Sequence, residues 1–183
     1  MPQSLRNLQL EHQGLGGLLD IMDEWVRDVS ESQAPDYQLL QVIADYFLGY
    51  PDEVHHPKED LIFLKLQRRD ADAAAKLSRL LDEHRELQEI TREFAAIVGE
   101  LAGSASSSPE QVVQSTNKLV DYYRHHIEME EEHFFPTAER LLTKGDWADI
   151  DFAFSERTDP LLYEAETKYK NLRAKIARLR KES

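Results

Sequence analysis

Apolar residues recur every three or four positions over most of the chain, which is the period of an α-helix, and nowhere do they alternate as a half-buried strand requires. The first stripe, Leu5, Leu8, His12, Leu15, Leu19, Met22 and Val26, predicts a helix over residues 4–29. A turn at 30–35 leads to a second helix over 36–69, through Ile43, Phe47, His55, Glu59, Ile62 and Leu66. Pro51 and Pro57 fall inside it; proline removes a helix hydrogen bond, so a bend or break is expected just ahead of the second half. A third helix over 72–102 follows Leu77, Leu81, His84, Leu87, Thr91, Phe94, Val98 and Leu101 at nearly heptad spacing.

The stretch GSASSSP at 103–109 reads as a surface loop. The fourth helix, 110–142, has Val112, Thr116, Leu119, Tyr123, His126, Glu130 and Phe134 as its seam, and Gly145 is expected to end it. A short apolar piece at 147–154 precedes a last amphipathic helix over 159–181. Four long helices joined by short connections predict an all-α, up-down-up-down four-helix bundle over 1–144. Residues 145–183 are then a helical extension packed on the bundle, the alternative use of the last helix being a homodimer contact.

The 183 residues suffice for one core, and the absence of cysteine excludes disulfides, thiolate metal sites, iron–sulfur clusters and cysteine nucleophiles. A net charge of −13 argues against nucleic acid as a partner, because phosphate binding needs a basic surface. The basic run from Lys168 to Lys181 is read as a solvated helix face or a complement to the acidic body. With no signal-peptide pattern and no long apolar run, the expectation is a soluble, cytoplasmic protein that does not engage a membrane.

Histidine placement separates this chain from an anonymous bundle. The first helix offers LEHQGL with His12 and the third DEHREL with His84; the second offers VHHPKEDLIF and the fourth RHHIEMEEEHFF. His84 lies 72 positions after His12, while His126 and Glu130 lie 71 after His55 and Glu59, so the unit His…HxxxE occurs twice. Residues four apart share a helix face. One imidazole and one carboxylate per motif, and a lone histidine on each remaining stripe, therefore point into one layer of the core. Six such groups without partners would be costly to bury, at roughly 2–7 kcal/mol each, and nitrogen and carboxylate donors without sulfur suit iron, manganese or zinc. In the doublets, Met129 four after His125 favours His126, and Phe63 and Phe134, each four past a glutamate, align His55 with His126. His56 is held as an additional ligand or supporting group, and His133 as a residue facing near the site. Gly16, one turn past His12, leaves room for a ligand or a gas channel, or serves close helix packing; Tyr123 is a hydrogen-bond donor to the site or core filler.

The order His, HxxxE, His, HxxxE on four helices resembles the hemerythrin-like family, the HHE cation-binding domain, over residues 4–142. The resemblance implies a non-haem di-iron centre, two iron ions bridged by two carboxylates and an oxygen species, with an open position for O2, peroxide or nitric oxide. Its ligands would be His12, His55, Glu59, His84, His126 and Glu130. Unlike the oxygen-carrying members, this chain has Leu80 and Gln88, not histidine, one turn either side of His84, and HxxxE in place of HxxxxD on the fourth helix. The expected roles are capture of O2 or a related oxidant for sensing, storage or delivery, a redox enzyme acting on peroxide or nitric oxide, iron handling, or, last, a metal-free interaction module.

Overall fold

The computed structural model describes residues 1–30, 36–102, 108–155 and 160–182, and these are all-helical, with no strand among them. Of the expected turn at 30–35 and loop at 103–109, residues 31–35 and 103–107 lie outside the described residues, while Ser30 ends the first helix and Pro109 begins the fourth. Helix α1 (Gln3–Ser30) buries the expected stripe from Leu5 to Met22. Helix α2 (Tyr37–Phe47) opens on Asp36, whose carboxylate accepts from the Leu39 N–H at 2.9 Å, a cap worth about 1 kcal/mol.

The two prolines break the second helix as expected. After α2 the chain makes a π-helical turn, Pro51–His55, and then α3 (His56–Arg69), with each proline in a first turn, where its missing N–H costs nothing. The third helix divides where the sequence predicted continuity. Asp70 caps Ala73 at 2.9 Å to open α4 (Ala71–Lys76), and α5 (Arg79–Ala102) begins after Leu77 and Ser78. Helix α6 (Pro109–Met129) starts on a capping box between Ser108 and Gln111. A second π-helical turn, Glu130–Phe134, joins it to α7 (Phe135–Leu141). Gly145 does not end that helix; it sits in the first turn of α8 (Lys144–Ser155), and α9 (Pro160–Glu182) follows.

Helix α1 packs on α6, α6 on α5, α5 on α2, and α2 back on α1, which closes a ring around a common interior. Helix α8 crosses α1 and α3, while α9 runs against α2. The interior holds two apolar clusters. One gathers Leu15, Leu19, Met22, Phe47, Leu87, Phe94, Leu119 and Tyr123; the other gathers Leu5, Leu8, Ile62, Phe63, Leu66, Phe134, Phe135 and Ile150. His12, His84 and His126 fall between them in sequence on every stripe, so a polar layer is sealed above and below by dry side chains. No helix among the described residues is long and apolar enough to cross a membrane.

Helix α9 docks through Tyr169, Ile176 and Leu179, all buried. Its basic residues partly complement the acidic body: Arg180 makes a two-pronged bond to Glu24 at 2.7 and 2.9 Å. Two glycines make room for it. A Cβ on Gly49 would collide with the Tyr169 hydroxyl, and one on Gly14 with the Arg173 guanidinium. Gly49→Ala is therefore expected to lower stability by about 1–3 kcal/mol, the usual cost of overpacking. Adding Tyr169→Phe should recover part of the loss in thermal melts; an unaffected melting temperature for the single variant would contradict this docking.

Candidate metal centre

Each of the four arms of the bundle contributes to the polar layer. Helix α1 supplies His12, the first π-helical turn ends on His55, α3 begins with His56 and Glu59, α5 supplies His84, α6 supplies His126, and the second π-helical turn starts with Glu130. π-Helical turns are rare and concentrate at functional sites; here both border this layer. Glu59 and Glu130 occupy the centre, each side chain only 1% exposed. Their carboxylates face imidazole Nε2 atoms: Glu59 Oε1 is 3.2 Å from His55 and 3.4 Å from His12, and Glu130 lies 3.2 Å from both His12 and His126. His84 Nε2 reaches both glutamates, at 3.6 and 3.5 Å. All six residues expected from the sequence thus converge.

The other ring nitrogen of each imidazole is held from outside. With Nδ1–H donating, His12 bonds Glu131 at 2.9 Å, His55 bonds Glu11 at 2.8 Å, His56 bonds Asp52 at 3.1 Å and His126 bonds Glu83 at 3.1 Å. His84 Nδ1 stands 3.4 Å from Asp60. A carboxylate behind each imidazole fixes its orientation and leaves Nε2 as the inward donor, as in carboxylate–histidine–metal triads. Four of these five carboxylates, all but Asp52, obey the same repeat. Glu11 precedes His12 but serves His55, and Glu83 precedes His84 but serves His126; Glu131 serves His12 as Asp60 serves His84. Sequence reasoning missed all five. The signal for two of them was present in the duplicated Glu-His pairs of LEHQGL and DEHREL.

The donor set fits metal. Both oxygens of Glu59, both of Glu130, and Nε2 of His12, His84 and His126 are buried with no hydrogen-bond partner. Leaving that many polar atoms unsatisfied is expensive in any core, and cations placed among them remove the penalty. Two groups of ligand atoms lie within 4.8 Å of one another: His12, His55, Glu59 and Glu130 in one, His56, Glu59, His84 and His126 in the other. Glu59 belongs to both, as a bridge must.

Electrostatics agree. Burial opposes charge on His12, but Glu130, Glu131 and Glu59 outweigh it and push its pKa up to about 12. The same contest raises His84 to about 10, with Asp60 and Glu130 as the main partners, and His126 to about 9 through Glu130 and Glu83. Glu59 is pulled down to about 2 although burial and Glu130 oppose it, because His55 and His12 surround it. The layer thus demands positive charge, which protons supply when metal does not. His56 goes the other way: burial and the adjoining His84 lower it to about 4 despite Asp52, so it presents a neutral imidazole.

The histidine doublets resolve by helix geometry. Successive residues on a helix point about 100° apart, and the α2–α3 arm packs between α1 and α5, so His55 reaches Glu11 on α1 while His56 stacks on His84 of α5 with centroids 4.0 Å apart. On α6, His125 is exposed and only His126 enters the layer. His133 is exposed and does not face the site. Tyr123 is core filler, packed edge-on against Phe47 at 4.8 Å. A Cβ on Gly16 would meet nothing within 4 Å, so close packing does not explain it; Gly14 is the glycine that packing needs. A cavity of about 410 Å3 lined by Asp52, His56, Asp60, His84 and Arg85 opens the His56–His84 edge of the layer to solvent.

A helical bundle whose core layer is built of imidazoles and carboxylates able to hold metal defines a class, the metal-binding helical bundles. The model of the hemerythrin HHE cation-binding domain matches residues 3–138, and the chain belongs to that family. No curated protein and no solved structure matches it.

Because His12, His84 and His126 are raised well above neutrality, metal loading at pH 7 must displace protons. Apparent affinity should then rise with pH, by about one decade per unit for each proton displaced. Calorimetric loading in two buffers of different ionisation enthalpy measures the number released; a value of zero would contradict the charge balance described here. Glu83→Ala, which strips the support from His126, should weaken metal binding about 10–100-fold while leaving the helical circular dichroism intact.

Proposed function

We propose that this protein is a non-haem di-iron protein that binds O2 or a related small oxidant for sensing, storage or delivery. The observation that carries this reading is the unequal division of imidazoles around two glutamates, each of which faces histidines of both groups. Three imidazoles (His56, His84, His126) gather on one side and two (His12, His55) on the other. On a two-metal reading the second side has fewer protein donors, which favours a vacant position there for O2, peroxide or nitric oxide. His56 stands in for the second histidine that the third helix lacks, so the poverty of histidine expected from the sequence is made good from a neighbouring helix.

The ligands in this reading are His12, His55, Glu59, His84, His126 and Glu130, joined by His56, with Glu59 and Glu130 bridging. Iron supplies reversible electron transfer and affinity for diatomic ligands; manganese and zinc suit the same donors. The chain's own contribution is to fix the imidazoles through Glu131, Glu11, Asp52, Asp60 and Glu83, and to keep water out with the two apolar clusters. The helix order and closed ring of contacts support an up-down-up-down bundle over 1–144, with 145–183 as an extension on it. The same acidic charge and the lack of an apolar span favour a cytoplasmic protein with no nucleic-acid or membrane partner. The chief rival is a redox enzyme acting on peroxide or nitric oxide with the same residues, and iron handling is a third use.

Anaerobic iron loading followed by metal analysis should give about two metals per chain; fewer than about one would sink all three readings. Glu130→Ala should lower iron content more than Glu128→Ala, since Glu130 is buried in the layer and Glu128 is exposed. On air exposure a stable charge-transfer band without oxygen evolution from peroxide favours binding, whereas rapid peroxide turnover favours the enzyme. His56→Leu should split metal loading into a tight and a weak phase.

A further inference from the structure

Beyond the Glu11–His55 contact, on the side away from the metal layer, lies a second cavity of about 260 Å3 between α1, the α2–α3 arm and α9. Its walls are aromatic: Tyr46 and Tyr50 stack at 4.9 Å, and Tyr169 meets them edge-on at 5.6 and 5.5 Å. Lys58, Lys170 and Arg173 also line it, against a single carboxylate, Glu11. Glu11 is already committed. It accepts from His55 at 2.8 Å and from Lys58 at 2.5 Å, and Tyr50 hydrogen-bonds it as well. Arg173 lies beside the Tyr46 ring, 5.9 Å from its centroid, and neither it nor Lys170 makes an ion pair among the described residues. The cavity is therefore small, ring-walled and short of negative charge in a protein of net charge −13.

We propose that this cavity binds a small organic carboxylate, and that its occupant is felt at the metal layer through Lys58, Glu11 and His55. The planar fork of Arg173 matches a planar carboxylate in two parallel bonds, and the tyrosine rings suit an organic body behind it. The volume limits that body to about the size of a single ring. Lys58 is the shared group. It bonds Glu11 and also lines the cavity, so a bound anion competes for its ammonium. As Lys58 turns to the anion, Glu11 pulls harder on the His55 Nδ1–H, and the Nε2 opposite becomes a stronger donor. Coupling of this kind is reciprocal: metal at His55 must alter anion affinity by the same factor. The coupling half of the proposal rests on the metal reading; the binding half does not.

The test uses benzoate as probe, titrated calorimetrically into the full-length protein, metal-free and iron(II)-loaded. The expected result is saturable one-to-one binding to both forms, weakened at least about tenfold, or 1.4 kcal/mol, by Arg173→Gln with an unchanged thermal melt. Failure of the metal-free protein to bind overturns the site whatever the metal results are. Equal affinity for inorganic phosphate overturns the carboxylate class. Binding confined to the loaded protein and indifferent to Arg173→Gln means that benzoate sits on the metal, which also overturns the site. Saturating benzoate should change iron(II) affinity at least about threefold in the wild type and leave it unchanged in Lys58→Met; an equal change in both refutes the relay through Lys58.

Discussion

Two glutamates buried side by side at the centre of the bundle set the terms for everything around them. Bringing two carboxylates into a dry interior is strongly unfavourable, and Glu59 and Glu130 have no hydrogen-bond partner for any of their four oxygens. Positive charge must meet them. Four imidazoles do so, those of His12, His55, His84 and His126, each turned inward by the group behind it, and the second ring of carboxylates exists to hold the layer's imidazoles in place. The apolar clusters above and below keep water from those two faces of the layer and leave the His56–His84 edge as its opening to solvent.

A repeated hairpin builds this layer, and its symmetry extends further than the direct donors. Glu11 and Glu83 support the HxxxE histidine of the following arm, while Asp60 supports the lone histidine of the second hairpin and Glu131 that of the first. The departure from symmetry is equally informative. Where α3 has His56 over Asp52, the matching positions on α6 are Ile127 and Tyr123, so one half of the layer has an imidazole that the other lacks. A symmetric scaffold with one asymmetric substitution is a direct way to make two neighbouring metal positions chemically unequal.

The C-terminal helix ties the outer surface to the layer. Tyr169 seats in the space left by Gly49, and Arg173 lies over the backbone at Gly14, two residues past His12. Tyr169 and Arg173 also line the cavity that Glu11 borders. An element that looks in sequence like a basic appendage is thus placed across one small cavity from Glu11, the support of His55.

Helix periodicity, the proline break and the convergence of six imidazole and carboxylate side chains in one layer were legible from the sequence because each depends on local spacing. A four-residue interval puts His55 with Glu59, and His126 with Glu130, on one face whatever the rest of the chain does. The division of the third helix at Leu77 and the start of α8 at Lys144 escaped because each is made by local polar bonds, Ser78 to the Ala75 carbonyl and Thr143 with Asp146, which a stripe of apolar positions does not encode. Tertiary structure alone decided the role of His56 and the supporting carboxylates. Whether a residue 100° off the main stripe is inside or outside depends on which helix lies beside it. His56 faces α5 and is buried, while His125, in the same place within its own doublet, faces outward.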